Sequence, residues 1–174
     1  NSSKWLLNCG VLNAYNSKLW YLTKTPFSNN FFKQVISDLS NLYGSTKGLS
    51  KKLLILDLDD TLWGGVVGEV GWKNLRVGGH DHLGEAFRDF QIQIKSLKNQ
   101  GIILALVSKN NEAIAIEAIN KHPEMILSMK DFVIHRINWE DKAKNIIDIV
   151  DELNLGLQSV VFLDDSPFER ARVQ

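Results

Sequence analysis

Cysteine occurs once, at Cys9, in a chain of 174 residues. A single thiol excludes an internal disulfide and suits a reducing compartment. No apolar run approaches the length of a membrane span. The longest, such as IILALV at 102–107, are far too short to cross a bilayer. The first residues also lack the basic-then-apolar pattern of a secretory signal, so the sequence predicts a cytoplasmic location and no membrane partner. Neither sign of charge is in excess, because 20 Lys and Arg balance 20 Asp and Glu. With no local basic cluster either, nucleic acid is not an expected partner. What is present is ordinary for a globular protein: 44% hydrophobic and 23% charged residues, enough for a sizeable core.

Composition shifts near residue 50. Residues 1–50 are rich in Asn, Ser, Trp and Tyr, and SNNFFKQVISDLSNLYG reads as a helix. Ser28 or Asn29 would cap it, Phe31, Val35, Ile36 and Leu39 share a face, and Gly44 would end it. STKGLSKK then reads as a linker. From Lys51 to Gln174, apolar strands alternate with amphipathic helices: LLILD, a helix with Leu83, Ala86, Phe87, Phe90, Ile94 and Leu97 on one side, IILALV, KNNEAIAIEAINKH, DFVIH, EDKAKNIIDIVDELNL and SVVFLDD. Strands separated by helices of this length predict an α/β fold, a Rossmann-like parallel sheet with helices on both faces. Right-handed crossovers then bring all strand C-terminal ends to one edge. If strand four lies on the far side of strand one, a ligand crevice opens between them.

Asp57, Asp59, Ser108, Asp164 and Asp165 all end strands on that edge. Four carboxylates in one place raise one another's pKa, and a cation relieves them most simply. Mg²⁺ suits oxygen ligands and keeps positions open for water and a phosphoryl oxygen. A carboxylate beside it can attack phosphorus, giving an acyl phosphate that water hydrolyses, with a second carboxylate moving the protons. The spacing Asp57-x-Asp59 predicts two side chains pointing the same way from an extended strand, Asp57 as nucleophile and Asp59 as acid and base. Asp60 then points away and is structural. Thr61 and Ser108 would hold phosphoryl oxygens, with Lys109 in the same phosphate-binding set, and Ser108 would start a helix whose dipole favours an anion. Lys142, early in its helix, would neutralise charge developing on the phosphoryl group.

DLDDT, ALVS, DKAKN and VFLDD, in that order, resemble the motif set of the haloacid dehalogenase-like superfamily, over Lys51 through Arg170. More narrowly, DLDDTLWGGVVGE, SKNNE and DDSPFERA are similar to its FkbH-like branch, the phosphatase-like subfamily IIIC. The resemblance implies Mg²⁺ held by Asp57, the Asp59 backbone carbonyl and Asp164, with Asp165 supporting, and phosphoaspartate chemistry at Asp57. It also implies a substrate and a partner: a glyceryl unit from 1,3-bisphosphoglycerate, loaded onto an acyl carrier protein with loss of phosphate, as in polyketide-type pathways. A free-standing phosphatase for protein or sugar phosphates is the alternative. Members that load glyceryl units often carry Cys directly before the motif-two Ser, where this chain has Val107. The branch usually has a preceding SGNH-like domain and a further strand and helix after motif four. Residues 1–50 are therefore expected to be a remnant of that domain plus linker, and 51–174 a core lacking its final strand and helix.

Trp63 to His80 leaves room for a short flap and Ser108 to Lys142 is filled by a helix and a strand, so no large cap domain is expected. Such a site is open to a bulky substrate. Trp63 and Trp72 are expected to fill space under the flap rather than line its mouth. His80, Asp81 and His82 lack further ligands nearby, and Asp81 more simply caps the following helix. A receiver-like phosphoaspartate signalling module is a rival of another class, but it places its acceptor Asp at the third strand, where DFVIH ends in His.

Overall fold

Three short apolar runs and the mixed segment IHRI become one parallel sheet: β1 (Leu53–Leu56), β2 (Ile103–Ser108), β3 (Ile134–Ile137) and β4 (Val160–Leu163). The computed structural model describes residues 2–46, 51–79 and 81–174. The strand order is β3-β2-β1-β4. Strand four therefore lies across β1 from β2, as the crevice argument requires. Leu53 pairs with both Ile103 and Val160, and the Asp57 N–H continues the β1–β4 ladder to the Leu163 carbonyl at 3.0 Å.

Alternation along the strands divides the core between the two sheet faces. Leu54, Leu56, Leu104 and Leu106 pack with Ile94 of α6 (His82–Asn99) and with Ala115, Ala118 and Ile119 of α7 (Glu112–Lys121), helix labels following chain order. Leu53, Ile55, Ala105 and Val107 pack on the other face with Ile146, Ile149 and Val150 of α8 (Lys142–Glu152), and Val173 of α9 (Pro167–Val173) joins them. The α/β, Rossmann-like architecture with helices on both faces is thus the one the sequence predicts.

Residues 63–79 form a flap in place of a large cap. Gly64 and Arg76 exchange backbone hydrogen bonds, and the short helix α5 (Val67–Val70) and a 3₁₀ turn at Trp72–Asn74 lie between them. Gly65 has φ 101°, and a Cβ on Gly64 would lie 2.9 Å from the Phe87 ring, so the turn needs both glycines. Trp63 is fully buried, as expected, and Trp72 is partly so.

Two local expectations change. The third strand runs Ile134–Ile137 and not DFVIH, because Ser128 and Asp131 form a reciprocal cap around a 3₁₀ turn at Met129–Asp131. The buried face of α6 carries Gly84, Gln91 and Ile94, while Leu83 and Leu97 stay 43% and 41% exposed. Gln91 is tolerated there because its amide donates to the Leu62 carbonyl and accepts from the Ile126 and Leu127 N–H groups. Asp81 does cap α6, accepting from the Gly84 N–H, and the Arg76 guanidinium beside it lowers its pKa to about 2. His80 and residues 47–50 of the expected linker lie outside the described residues.

The chain divides into two units at Ser50 and Lys51. In the first, α1 (Ser2–Cys9), α2 (Val11–Ala14) and α4 (Asn29–Thr46) pack on one another, Trp5 edge-on to Phe31 and Phe31 stacked on Phe27, while α3 (Ser17–Thr23) carries no buried residue. The Ser28 hydroxyl accepts from the Phe31 N–H, as a cap should, but α4 runs past Gly44 to Thr46 and leaves Ile36 and Leu39 exposed. Among the described residues no helix is long and apolar enough to cross a membrane.

Asp131 gives a stability test. Burial works against its carboxylate, yet Lys98, the Ser128 N–H and hydroxyl, and Lys95 hold its pKa at about 2. A depressed carboxylate stabilises the fold above its unfolded pKa and loses that contribution as the pH falls through about 4 toward about 2. Asp131→Asn should cost about 2 kcal/mol at pH 7, roughly half of that at about pH 3 and little below about pH 2, read by urea unfolding across that range.

Candidate active site

The C-terminal ends of β1 and β4 and the first residue of α8 meet around one ammonium. Asp141 caps α8, its Oδ1 accepting from the Ala143 N–H at 2.8 Å, and this fixes where the following Lys142 begins. Lys142 Nζ lies 2.6 Å from Asp164 Oδ2 and 2.9 Å from Asp57 Oδ2, and all three residues are buried. Burial alone disfavours the ammonium, but the Asp57 and Asp164 carboxylates outweigh it and raise the Lys142 pKa. Burial raises that of Asp57 against the pull of Lys142.

Asp164 is braced on every side. Its Oδ1 accepts from the Ser166 N–H at 2.8 Å, and its carbonyl, with that of Asp165, accepts from Arg170 Nη1 at 2.6 Å. Pro167 at the first helical position and Ser166 as cap start α9 directly after the acidic pair. The Asp165 N–H donates to Thr61 Oγ1 at 3.1 Å, tying the loop after β4 to the loop after β1.

Asp57 Oδ1 is buried and accepts no hydrogen bond from the described residues, although the Ser108 hydroxyl and Leu58 N–H also favour its charged form. A buried carboxylate oxygen of this kind can take a cation or an electrophile as its partner. Asp57, Asp164 and Asp165 each place a carboxylate oxygen within 4.8 Å of the others, an all-oxygen donor set that fits a hard divalent ion such as Mg²⁺. The carboxylate that joins the cluster beyond Asp57 and Asp164 is that of Asp165, and the Asp59 side chain goes elsewhere.

Asp59 departs from the expected alternation because β1 stops at Leu56 and the chain turns. Asp59 Oδ1 accepts from Trp63 Nε1 at 2.8 Å and the Val67 N–H at 3.0 Å, and Oδ2 accepts from Asn110 Nδ2 at 2.8 Å. Burial raises its pKa while these donors oppose the rise. Asp60 takes a left-handed conformation, φ 52°, and its Oδ1 accepts from the Gly65 N–H at 2.7 Å. Its role is structural, but through a turn and not through strand alternation.

The β2–α7 loop also differs from its expected form. Ser108 is buried at the end of β2, and α7 begins only at Glu112. Asn110 Oδ1 accepts from the Asn111 N–H and Asn111 Oδ1 from the Ile114 N–H, so two asparagine side chains hold off the helix for three residues. Lys109 Nζ pairs with Glu169 Oε1 at 2.7 Å, a partner on α9 that no spacing in the sequence indicates. Asn110 and Glu169 are site residues that the motif pattern does not single out. An Asn pair directly after a strand is the local signal for the first.

No protein-family model matches the chain, and no curated protein does. Among solved structures, the chain is similar to the N-terminal part of protein BF1531 from Bacteroides fragilis, which contains a phosphatase domain and is complexed with Mg. The two are 43% identical, with a TM-score of 0.83 over 97% of this chain and 45% of that one. The chain thus spans under half of that relative's length. A haloacid dehalogenase-like family hydrolase from Xanthomonas campestris aligns at 12% identity and TM-score 0.44, over 67% of this chain and 75% of that one. The 3-deoxy-D-manno-octulosonate 8-phosphate phosphatase from Moraxella catarrhalis, in complex with magnesium ion, phosphate ion and KDO, aligns at 20% and 0.40, over 69% and 60%.

Removing the ammonium would leave two buried like charges. Lys142→Met should cost about 3–5 kcal/mol at pH 7. Asp57, whose pKa burial already raises, can then take up a proton, so the deficit should shrink as the pH falls from 7 toward 4. Thermal and urea unfolding across that range measure both effects.

Proposed function

We propose that this chain, which carries the ordered motifs and fold of the haloacid dehalogenase-like superfamily, is a Mg²⁺-dependent phosphatase working through a phosphoaspartate at Asp57. The observation that carries the reading is the buried Asp57 carboxylate at the C-terminal edge of the sheet, which has one oxygen held by Lys142 and the other without a partner among the described residues. The solved relative's phosphatase domain and its Mg support it.

Asp57 attacks phosphorus, the bond to the leaving oxygen breaks, and Asp59 supplies that oxygen with a proton. Water, losing a proton to Asp59, then attacks the acyl phosphate, and the Asp57–phosphorus bond breaks to release phosphate. Lys142 holds Asp57 and Asp164 in register and offsets charge on the phosphoryl group, and Thr61, Ser108 and Lys109 are the proposed phosphate-binding residues. Asp57, Asp164 and the Asp59 carbonyl, supported by Asp165, would hold Mg²⁺, which when bound polarises a phosphoryl oxygen and neutralises its charge. The substrate class is a small phosphorylated compound.

A finer reading is the FkbH-like one, in which the phosphorylated group is a three-carbon acyl phosphate and the acceptor an acyl carrier protein. The absence of a large cap favours it, since a carrier protein needs open access. Val107, fully buried in the core, leaves no thiol at that position to hold the acyl group, so transfer would run directly to the carrier's own thiol with release of phosphate. Incubation with 1,3-bisphosphoglycerate, Mg²⁺ and candidate carrier proteins, read by intact mass, tests this: a glyceryl adduct supports it, and hydrolysis of simple esters without one favours the plain phosphatase. A receiver-like module is disfavoured, because β3 is an edge strand followed by Asn138 and offers no acceptor Asp.

Asp57→Asn should lower phosphate-ester hydrolysis by at least about 10³-fold and abolish trapping by a phosphate-mimicking metal fluoride. Chelation should remove activity from the unaltered chain, and Mg²⁺ should restore it. Persistence of both hydrolysis and trapping in the variant would overturn the nucleophile assignment.

A further inference from the structure

We propose that Asn110 is a positioning residue for Asp59, acting on the reaction only through that carboxylate; the inference rests on the acid and base role given to Asp59 above. Asn110 is 4% exposed, and its amide has a fixed orientation. Its Oδ1 accepts from the Asn111 N–H at 2.9 Å, so Nδ2 must face Asp59, where it donates to Oδ2 at 2.8 Å. The other carboxylate oxygen is held by donors from the flap side, Trp63 Nε1 and the Val67 N–H.

The two sets of donors come from different loops. Trp63 and Val67 follow β1, and Asn110 follows β2. Two donors on one oxygen leave the carboxylate free to pivot about that oxygen, and the Asn110 amide, reaching the second oxygen from the neighbouring loop, stops the pivot. It thereby fixes which oxygen faces the leaving group. A proton donor displaced by about 1 Å is a poor one, so the amide matters to the step in which Asp59 supplies a proton.

That step can be isolated by the leaving group. An alkyl alkoxide needs a proton to depart, whereas p-nitrophenolate leaves without one. The value of kcat/KM covers only events up to departure of the leaving group, so hydrolysis of the phosphoenzyme does not mask the difference. With Mg²⁺ present, Asn110→Ala should lower kcat/KM for ethyl phosphate about 10- to 100-fold and for p-nitrophenyl phosphate less than about 3-fold. A partly unfolded sample lowers both values equally, so the ratio still reports positioning. If Asn110→Ala does not fold, Asn110→Ser, which keeps an acceptor for the Asn111 N–H, carries the same comparison. Equal losses on the two esters would overturn the role of Asn110 alone. Failure of the unaltered chain to hydrolyse either ester would overturn the phosphatase reading and this inference with it.

Discussion

The buried ammonium of Lys142, set between Asp57 and Asp164, is the interaction on which the C-terminal edge of the sheet depends. Two carboxylates at that depth would repel each other and resist ionisation, and a lone lysine there would lose its proton. Together they hold three chain segments in register: the end of β1, the end of β4 and the start of α8. The cost of burying these charges is met only while all three are present, which makes the site a single unit and not a set of independent residues. The parallel sheet makes this possible, because β4 pairs beside β1 and brings residues more than a hundred positions apart to the same edge.

Around that unit the remaining polar groups are divided by loop. Asp57 has one oxygen without a partner among the described residues, while Asp59, two residues on, is turned toward Trp63, Val67 and Asn110. The turn follows from the early end of β1 and the left-handed Asp60. It gives neighbouring acids different surroundings, which is the condition for two carboxylates to take different roles in one reaction. Lys109, with its ammonium on Glu169, ties the β2 loop to α9 in the same way that the Asp165 N–H on Thr61 ties β4 to β1. The site is therefore cross-braced between loops, and a flap stands in place of a large cap.

Much of this was legible in the chain. Alternating apolar strands and amphipathic helices determine an α/β parallel sheet, because each strand buried on both faces must be apolar throughout and each crossover must be a helix. The order of Asp57, Ser108, Lys142 and Asp164 along the chain, each at a strand end or helix start, then determines that they share one edge. The short stretch between Trp63 and His80 determines that no large cap is inserted there.

What only the tertiary structure decided is which polar group each side chain binds. Strand alternation could not place Asp59 or Asp60, since it lapses where β1 ends at Leu56. Helix periodicity could not foresee that Gln91 would be buried against the backbone at Leu62, Ile126 and Leu127. Nor could spacing reveal the pairs Lys109 with Glu169 and Asn110 with Asp59. Periodicity reports which way a side chain points within one element. A hydrogen bond over 2.8 Å depends on where a second element lies, and that is set by packing the whole core.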